Sequence, residues 1–345
     1  MNSAQREECY SLVKNAIGHG HVPSFEDFLY DNEGMQINYE ELKQWYENIF
    51  ELHYLKNLLK PDIIEIHIHA PNKICLYSLI GRSHCEIILN PQEFQLSLEV
   101  LALKNSQKWN YTHPFCSFTA LYYDHALRFS LSHYITSAHQ ISKLFVRVSH
   151  KEFISLENFG LTSEQQSFCH ELIHSKKNII VSGATGSGKT TFLRTLINCV
   201  DKNEHLCILE DTHELYNHSD YATHFLQDEN NKLRDFCAYA LRISPDRIIL
   251  GEIRSDEIIP FVLSMNNGHK GLMTSLHANS AEDALQRMAL LFSLFSESKD
   301  ISYEIILNLI CKNVDTVIHL ENKKIKSIIN VLGSEGSHTY FENQL

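Results

Sequence analysis

Nine cysteines are scattered along the chain without one C-x-x-C pair, the closest neighbours being Cys75/Cys85 and Cys199/Cys207. That spacing argues against a zinc knuckle and against a dense disulfide framework, so the thiols read as reduced and mostly buried, as in a cytosolic protein. Positive charge is also scarce: 30 Lys and Arg stand against 42 Asp and Glu, a formal net charge of -12 at pH 7. From that balance we expect neither a surface built mainly to hold a nucleic-acid backbone nor direct sequence-specific nucleic-acid binding. No apolar run approaches the ~18 residues that cross a bilayer. The opening MNSAQREECYSLVKNAIGHG mixes charge into its apolar positions, so neither signal peptide nor anchor is expected there. Any membrane association is then peripheral. Internal repeats and low-complexity segments are lacking too.

What is present is a globular composition, 43% apolar and 21% charged, over 345 residues, enough for two domains with separate cores. Residues 1 to about 60 read as helices, clearest where Leu42, Trp45, Tyr46, Ile49, Leu52 and Leu55 recur at helical spacing before Pro61. Residues 63–69 and 73–79 alternate like strands, a helix opens at Pro91, two strands flank Tyr123-Asp124-His125, and KLFVRVS forms a third. This gives an α+β domain over residues 1–149, followed by a polar, turn-rich linker, 150–162. Over 163–345 the runs NIIVS, LCILE, RIILG and LMTSL are short, apolar and β-branched, separated by helical stretches, the pattern of a parallel sheet in an α/β domain.

GATGSGKTT, residues 183–191, lies between the strand NIIVS and the helix FLRTLINCV. It fits the phosphate-loop pattern G-x-x-x-x-G-K-[ST] in the strand-loop-helix setting that gives the pattern meaning. Gly183, Ala184, Thr185, Gly186, Ser187 and Gly188 would curl so that backbone N–H groups face the phosphates of ATP, helped by the following helix N-terminus. Lys189 would neutralise the β- and γ-phosphates, and the Thr190 hydroxyl, with Thr191 beside it, would meet Mg²⁺. LEDTHEL sets Glu210, Asp211 and Glu214 just past a strand's carboxyl end, where α/β sheets bind ligands. RIILGEIR sets Glu252 at the end of another strand, with Gly251 where nucleotide-hydrolysing proteins usually place an aspartate. GLMTSLHANSAEDALQRM sets His277 and Asn279 before a helix capped by Ser280.

In this order and spacing, GATGSGKTT, LEDTHEL, LRISPDRIILGEIR and GHKGLMTSLHANS resemble the Walker A motif, acidic box, Walker B motif and histidine box of the secretion ATPase superfamily. That superfamily comprises hexameric traffic ATPases of type IV secretion and conjugation and the motors of type II secretion and type IV pili. The core match covers about residues 161–320. The first domain, through PDIIEIHIHAPNKICL, NYTHPF, HALRFSLS and KLFVRVS, is most similar to the VirB-type ATPases, and the four-cysteine insertion common in type II motors is missing. The resemblance implies a RecA-like P-loop core preceded by a smaller α+β domain, with ATP and Mg²⁺ as cofactors. By that resemblance Lys189 and Thr190 hold phosphate and Mg²⁺, Glu214 polarises the attacking water, and Glu252 acts on Mg²⁺ or its waters. Glu210 and Asp211 complete the acidic shell, and His277 senses the γ-phosphate. Arg128 and Arg147 stand where the first domain supplies arginines to the nucleotide, and Arg242 and Arg254 are further candidates at a subunit boundary. The family's hairpin before the second arginine usually turns through glycine; YYDHAL has none.

The implied machine is a homo-oligomeric, hexameric ring that binds nucleotide between the two domains of each subunit. It would work with other cytoplasmic and inner-membrane components of a secretion machine, peripheral to the cytoplasmic face of the inner membrane. A pilus-type or type II motor, a nucleotide-dependent scaffold and a nucleic-acid helicase or packaging motor are the alternatives. His67 and His69 of EIHIHA share a strand face, which reads as solvated polar surface rather than a metal site. Trp45, Tyr46, Trp109, Tyr111 and Phe115 read as core or subunit contacts.

Overall fold

The computed structural model describes residues 1–31, 37–78, 80–149, 154–217, 219–228, 230–298 and 300–344. The chain divides into two units, Met1–His150 and Lys151–Leu345.

The first unit contains α1 (Ser3–Gly18), α2 (Phe25–Asp31), α3 (Tyr39–Phe50), α4 (His53–Lys56), β1 (Ile63–Ala70), β2 (Lys73–Ser78), β3 (Gly81–Cys85), α5 (Pro91–Lys104), β4 (Phe115–Tyr122), β5 (His125–Ser132) and β6 (Lys143–Ser149). Asparagine side chains start three of its helices by accepting backbone N–H groups: Asn2, Asn38 and Asn90. The strands form a sheet in the order β3-β2-β1-β6-β5-β4. β5 and β6 place Arg128 directly opposite Arg147. The β4–β5 hairpin turns through Tyr123 and Asp124, both at positive φ (51° and 64°), as a two-residue primed turn requires. The missing glycine is offset by an anchor, because the Tyr123 hydroxyl donates to the Glu51 carbonyl at 2.8 Å.

In β1, His67 lies 3.0 Å from Glu65 and packs on Tyr77 and Phe145, and no metal-ligating cluster forms there among the described residues. Trp45, Tyr46 and Trp109 are core residues, whereas Tyr111 and Phe115 are exposed, Phe115 opening the edge strand β4. β3 escaped the sequence reading because GRSHC is nearly all exposed and carries no apolar alternation.

The second unit contains α6 (Ser163–His174), β7 (Ile179–Gly183), α7 (Lys189–Ile197), β8 (Leu206–Glu210), β9 (Ala222–Leu226), α8 (Leu233–Ala240), β10 (Arg247–Ile253), α9 (Ile258–Asn266), β11 (Met273–His277), α10 (Ala281–Phe295), α11 (Tyr303–Asn313), β12 (Thr316–Glu321), β13 (Lys324–Glu335) and β14 (His338–Asn343). Its sheet runs β14-β13-β12-β7-β11-β10-β8-β9, parallel from β12 to β9, with β13 and β14 added antiparallel. Helices cover the sheet through two apolar clusters, one centred on α9, α10 and α11, the other on α6 and α7. Of the stretch expected to link the domains, residues 150–153 lie outside the described residues. From Ile154 the chain is part of the second unit. Leu156, Phe159 and Leu161 are buried there, Phe159 meets Phe192 edge-on at 4.9 Å, and Thr195 donates to the Ile154 carbonyl at 2.8 Å. Thr162 then caps α6 with Gln165 in a reciprocal pair.

Candidate functional site

The parallel strands deliver their carboxyl ends to one edge of the sheet. Gly183 ends β7 and pairs with His277, which ends β11; Leu209 and Leu250 pair just before Glu210 and Glu252. Four segments far apart in sequence therefore meet because their strands are neighbours.

The loop after β7 needs its glycines. Gly183, Gly186 and Gly188 all have positive φ (152°, 75° and 96°). An added Cβ on Gly183 would lie 2.5 Å from both the Leu320 carbonyl oxygen and Ser187 Oγ. Lys189 opens α7 and is buried; its ammonium donates to the Ala184 carbonyl at 3.0 Å and to His277 Nδ1 at 3.1 Å. Thr190 occupies the next position of the first turn. A cavity of about 600 Å³ opens beside the loop, lined by Ala184, Thr185, His277, Asn279, Arg287 and Tyr303 among others.

Since His277 Nδ1 accepts from the lysine, the neutral ring carries its proton on Nε2. That nitrogen lies 2.8 Å from Glu252 Oε1, at ion-pair distance but too bent for a good hydrogen bond. The other Glu252 oxygen accepts from Arg254 Nε at 2.8 Å and also from Nη2, and Arg254 Nη1 reaches Asp211 at 2.6 Å. Arg254 thus neutralises one carboxylate from the β8 exit and one from the β10 exit. Glu257, which the sequence reading missed, holds this turn: its buried carboxylate accepts the Ser255 N–H at 2.7 Å and the Arg254 N–H.

Glu214 belongs to another set of charges. It attracts Arg194, which is buried in α7 and whose guanidinium burial holds below its ordinary pKa. Sequence reading missed Arg194, which sits in an apolar helix with nothing local to mark it. Glu210, which the resemblance places in the acidic shell, also has a structural task. Its buried Oε1 accepts the backbone N–H groups of Glu214 and Leu215 at 2.9 and 2.8 Å, pinning the acidic turn. Gly251 packs beside this glutamate: a Cβ there would meet Glu210 Cγ at 3.4 Å, an ordinary van der Waals contact. Arg242 is exposed on the turn after α8, and Arg128 and Arg147 belong to the first unit.

Burial, more than any other cause, holds the His277 imidazole below the ordinary histidine value of 6.5; Lys189 and Arg254 push the same way and Glu252 opposes them. The folded site therefore takes up a proton less readily than the unfolded chain. The stability contributed by neutral His277 is complete above 6.5 and is lost as pH falls through the depressed folded value. His69, His133 and His319 are depressed in the same direction, so the wild-type profile is a sum. Thermal unfolding should fall less steeply on acidification below 6.5 in His277→Gln than in the wild type; parallel profiles would rule out this residue's share.

A model of the family described as type II/IV secretion system protein matches residues 118–330, well over half of the chain. The chain belongs to this type II/IV secretion family. VirB11, a type IV secretion system protein of Brucella suis, is 32% identical over 181 residues, 50% of this chain and 49% of that protein. The conjugal transfer protein TrbB of Rhizobium radiobacter is 29% identical over 190 residues, 53% of this chain and 57% of that protein. The chain spans about half the length of the curated relatives it matches. The crystal structure of the pilus retraction motor PilT with bound ADP shares the fold at 18% identity. That match has a TM-score of 0.59 and covers 85% of this chain and 81% of that one. Among the described residues of this family member, no helix is long and apolar enough to cross a membrane.

Proposed function

We propose that the chain is an ATP-hydrolysing motor of a type IV secretion or conjugation machine, acting as a ring of identical subunits, hexameric as in the resembling family. The observation that carries this reading is the line of charge from the phosphate loop to the acidic strand ends: Lys189 to His277, His277 to Glu252, Glu252 through Arg254 to Asp211. Residues 183–188 and Thr191 would cradle the phosphates by backbone N–H groups, and Lys189 would turn from the Ala184 carbonyl and His277 to phosphate oxygen. Arg128 and Arg147 are further phosphate-binding candidates, on the strength of the resemblance and their shared register. Arg242 remains a candidate for the subunit boundary.

The donor set fits Mg²⁺. Thr190, Asp211 and Glu252 offer hard oxygen atoms, and Glu252 Oε1 is buried without a hydrogen-bond donor. Arg254 now supplies positive charge to both carboxylates, so it must turn away when they take up the ion, which leaves it free for a phosphate. Bound Mg²⁺ would neutralise charge on the β- and γ-phosphates. Glu214 or Glu252 would orient the attacking water, and His277 would report the γ-phosphate to Lys189 and Glu252.

Phosphate release and nucleotide affinity measured on Glu252→Gln and Glu214→Gln test the reading. The variant at the water-polarising position should lose ~10²- to 10⁴-fold in turnover with affinity kept. Wild-type turnover in both would overturn the assignment. A strictly monomeric preparation with full specific activity would overturn the ring. Tight nucleotide binding without turnover in the wild type would instead favour the scaffold reading. The cytoplasmic face of the inner membrane, reached through partner proteins, is the proposed location.

A further inference from the structure

We propose that Glu210, His213 and His224 form a site for a zinc-class transition-metal ion, with ligands distinct from those of the nucleotide's Mg²⁺. One ligand atom from each side chain lies within 4.8 Å of the others. Bonds of about 2.1 Å in tetrahedral geometry put ligand atoms about 3.4 Å apart, so side-chain adjustments of about an ångström close the site. Glu210 Oε2 and His224 Nδ1 are 3.7 Å apart, already near that spacing.

Two further observations point to a ligand. Both of those atoms are buried and have no hydrogen-bond partner among the described residues, in a glutamate only 3% exposed. A buried carboxylate oxygen left unpaired is costly, and a cation between it and the imidazole removes that cost. The Glu210 carboxylate is also held as a metal ligand requires. Glu210 Oε1 is fixed by the N–H groups of Glu214 and Leu215, which aims Oε2. His224 Nε2 lies 3.0 Å from the side-chain amide of Asn217. Asn217 Oδ1 accepts the Ser219 N–H at 2.9 Å, so a metal on Nδ1, which leaves the proton on Nε2, requires this amide to turn and give up that bond. The His213 ring lies against His224 at 4.8 Å between centroids.

Two imidazoles and one carboxylate are the donors of open zinc sites, with a fourth position left for water; the nitrogen share selects against Mg²⁺. The ligands also say what the ion would do. Glu210 ends β8, His213 lies inside LEDTHEL, and His224 sits in β9 opposite Ile208 of β8. A metal there staples the acidic turn that carries Glu214 to the edge strand. The site stands without the ATPase reading; only its effect on turnover rests on it.

The test uses the full chain, freed of metal by chelation, with excess Mg²⁺ and no nucleotide. Zinc titrated calorimetrically should bind one ion per chain, and Co²⁺ should give the intense visible bands of a low-coordinate site. His213→Gln and His224→Gln should each weaken binding ~100-fold or more, with circular dichroism unchanged, while the double variant His67→Gln/His69→Gln keeps wild-type affinity. In the wild type, zinc should slow hydrogen exchange of the Glu214 and Leu215 amides, a readout that needs no variant. Absence of zinc heat and of cobalt bands at one equivalent would overturn the proposal, leaving a plain histidine–glutamate pair. So would binding that survives both substitutions or leaves those amides unprotected.

Discussion

Lys189→Ala is expected to lower phosphate release by ~10²- to 10³-fold or more, the scale of losing one preorganised group that stabilises transition-state charge, while the fold survives. The ammonium is buried, and the acceptors given above are a carbonyl 3.0 Å away and a neutral imidazole nitrogen 3.1 Å away. The variant's own unfolding midpoint without nucleotide is the reference for the comparison that follows. What should disappear is the rise in that midpoint on adding nucleotide, about 2.7 kcal/mol of stabilisation at a hundredfold excess over Kd in the wild type. Thermal unfolding with and without ATP separates the two contributions. A variant that kept the nucleotide-induced rise would show that the loop is not the binding site, and wild-type phosphate release would show that the lysine does not act on the reaction.

The phosphate loop was legible because its requirements are local: three glycines at positive φ, a lysine and a threonine at the start of a helix, all within nine residues. The roles around it were less legible in proportion to their dependence on strand neighbours. Glu210 and Asp211 look alike in LEDTHEL, yet consecutive residues at a strand's end point to opposite sides. Asp211 meets Arg254, whereas Glu210 is buried, holds the N–H groups of Glu214 and Leu215 and packs beside Gly251 of β10. Without the β8–β10 register, the glycine looked like a missing ligand.

Arg194 was hidden for the same reason, since Glu214 comes from the turn after β8, whereas Glu257 holds the N–H groups of Arg254 and Ser255 just before it. In the fold, β7, β8, β10 and β11 announced themselves by apolar runs that are buried over four or five consecutive residues. β9, half-exposed at the sheet's edge, and the antiparallel β13–β14 hairpin carry polar residues throughout. The segment before α6 read as a linker because Leu156, Phe159 and Leu161 are spaced among polar residues and find their partners only on α7 and its surroundings.

Gly183→Ala should be among the most destabilising single substitutions in the second unit, at ~2 to 6 kcal/mol. Two effects add. The new Cβ would lie 2.5 Å from the Leu320 carbonyl oxygen, and Leu320 is paired in register with Gly183 across the central strands β12 and β7, so relief requires those strands to part. Overpacking of this kind costs ~1 to 3 kcal/mol. A φ of 152° adds strain of ~1 to 3 kcal/mol for a residue with a side chain. Gly186→Ala is the control from the same loop: its φ is 75° but an added Cβ meets nothing within 4 Å, so only the backbone term of ~1 to 2 kcal/mol applies. Both variants should bind nucleotide less well, because both disturb the curl that aims the N–H groups. Only the first should shift the denaturant midpoint substantially. Equal shifts in the two would mean that β12 yields to the methyl group, and that the glycine at 183 serves the phosphates rather than the sheet.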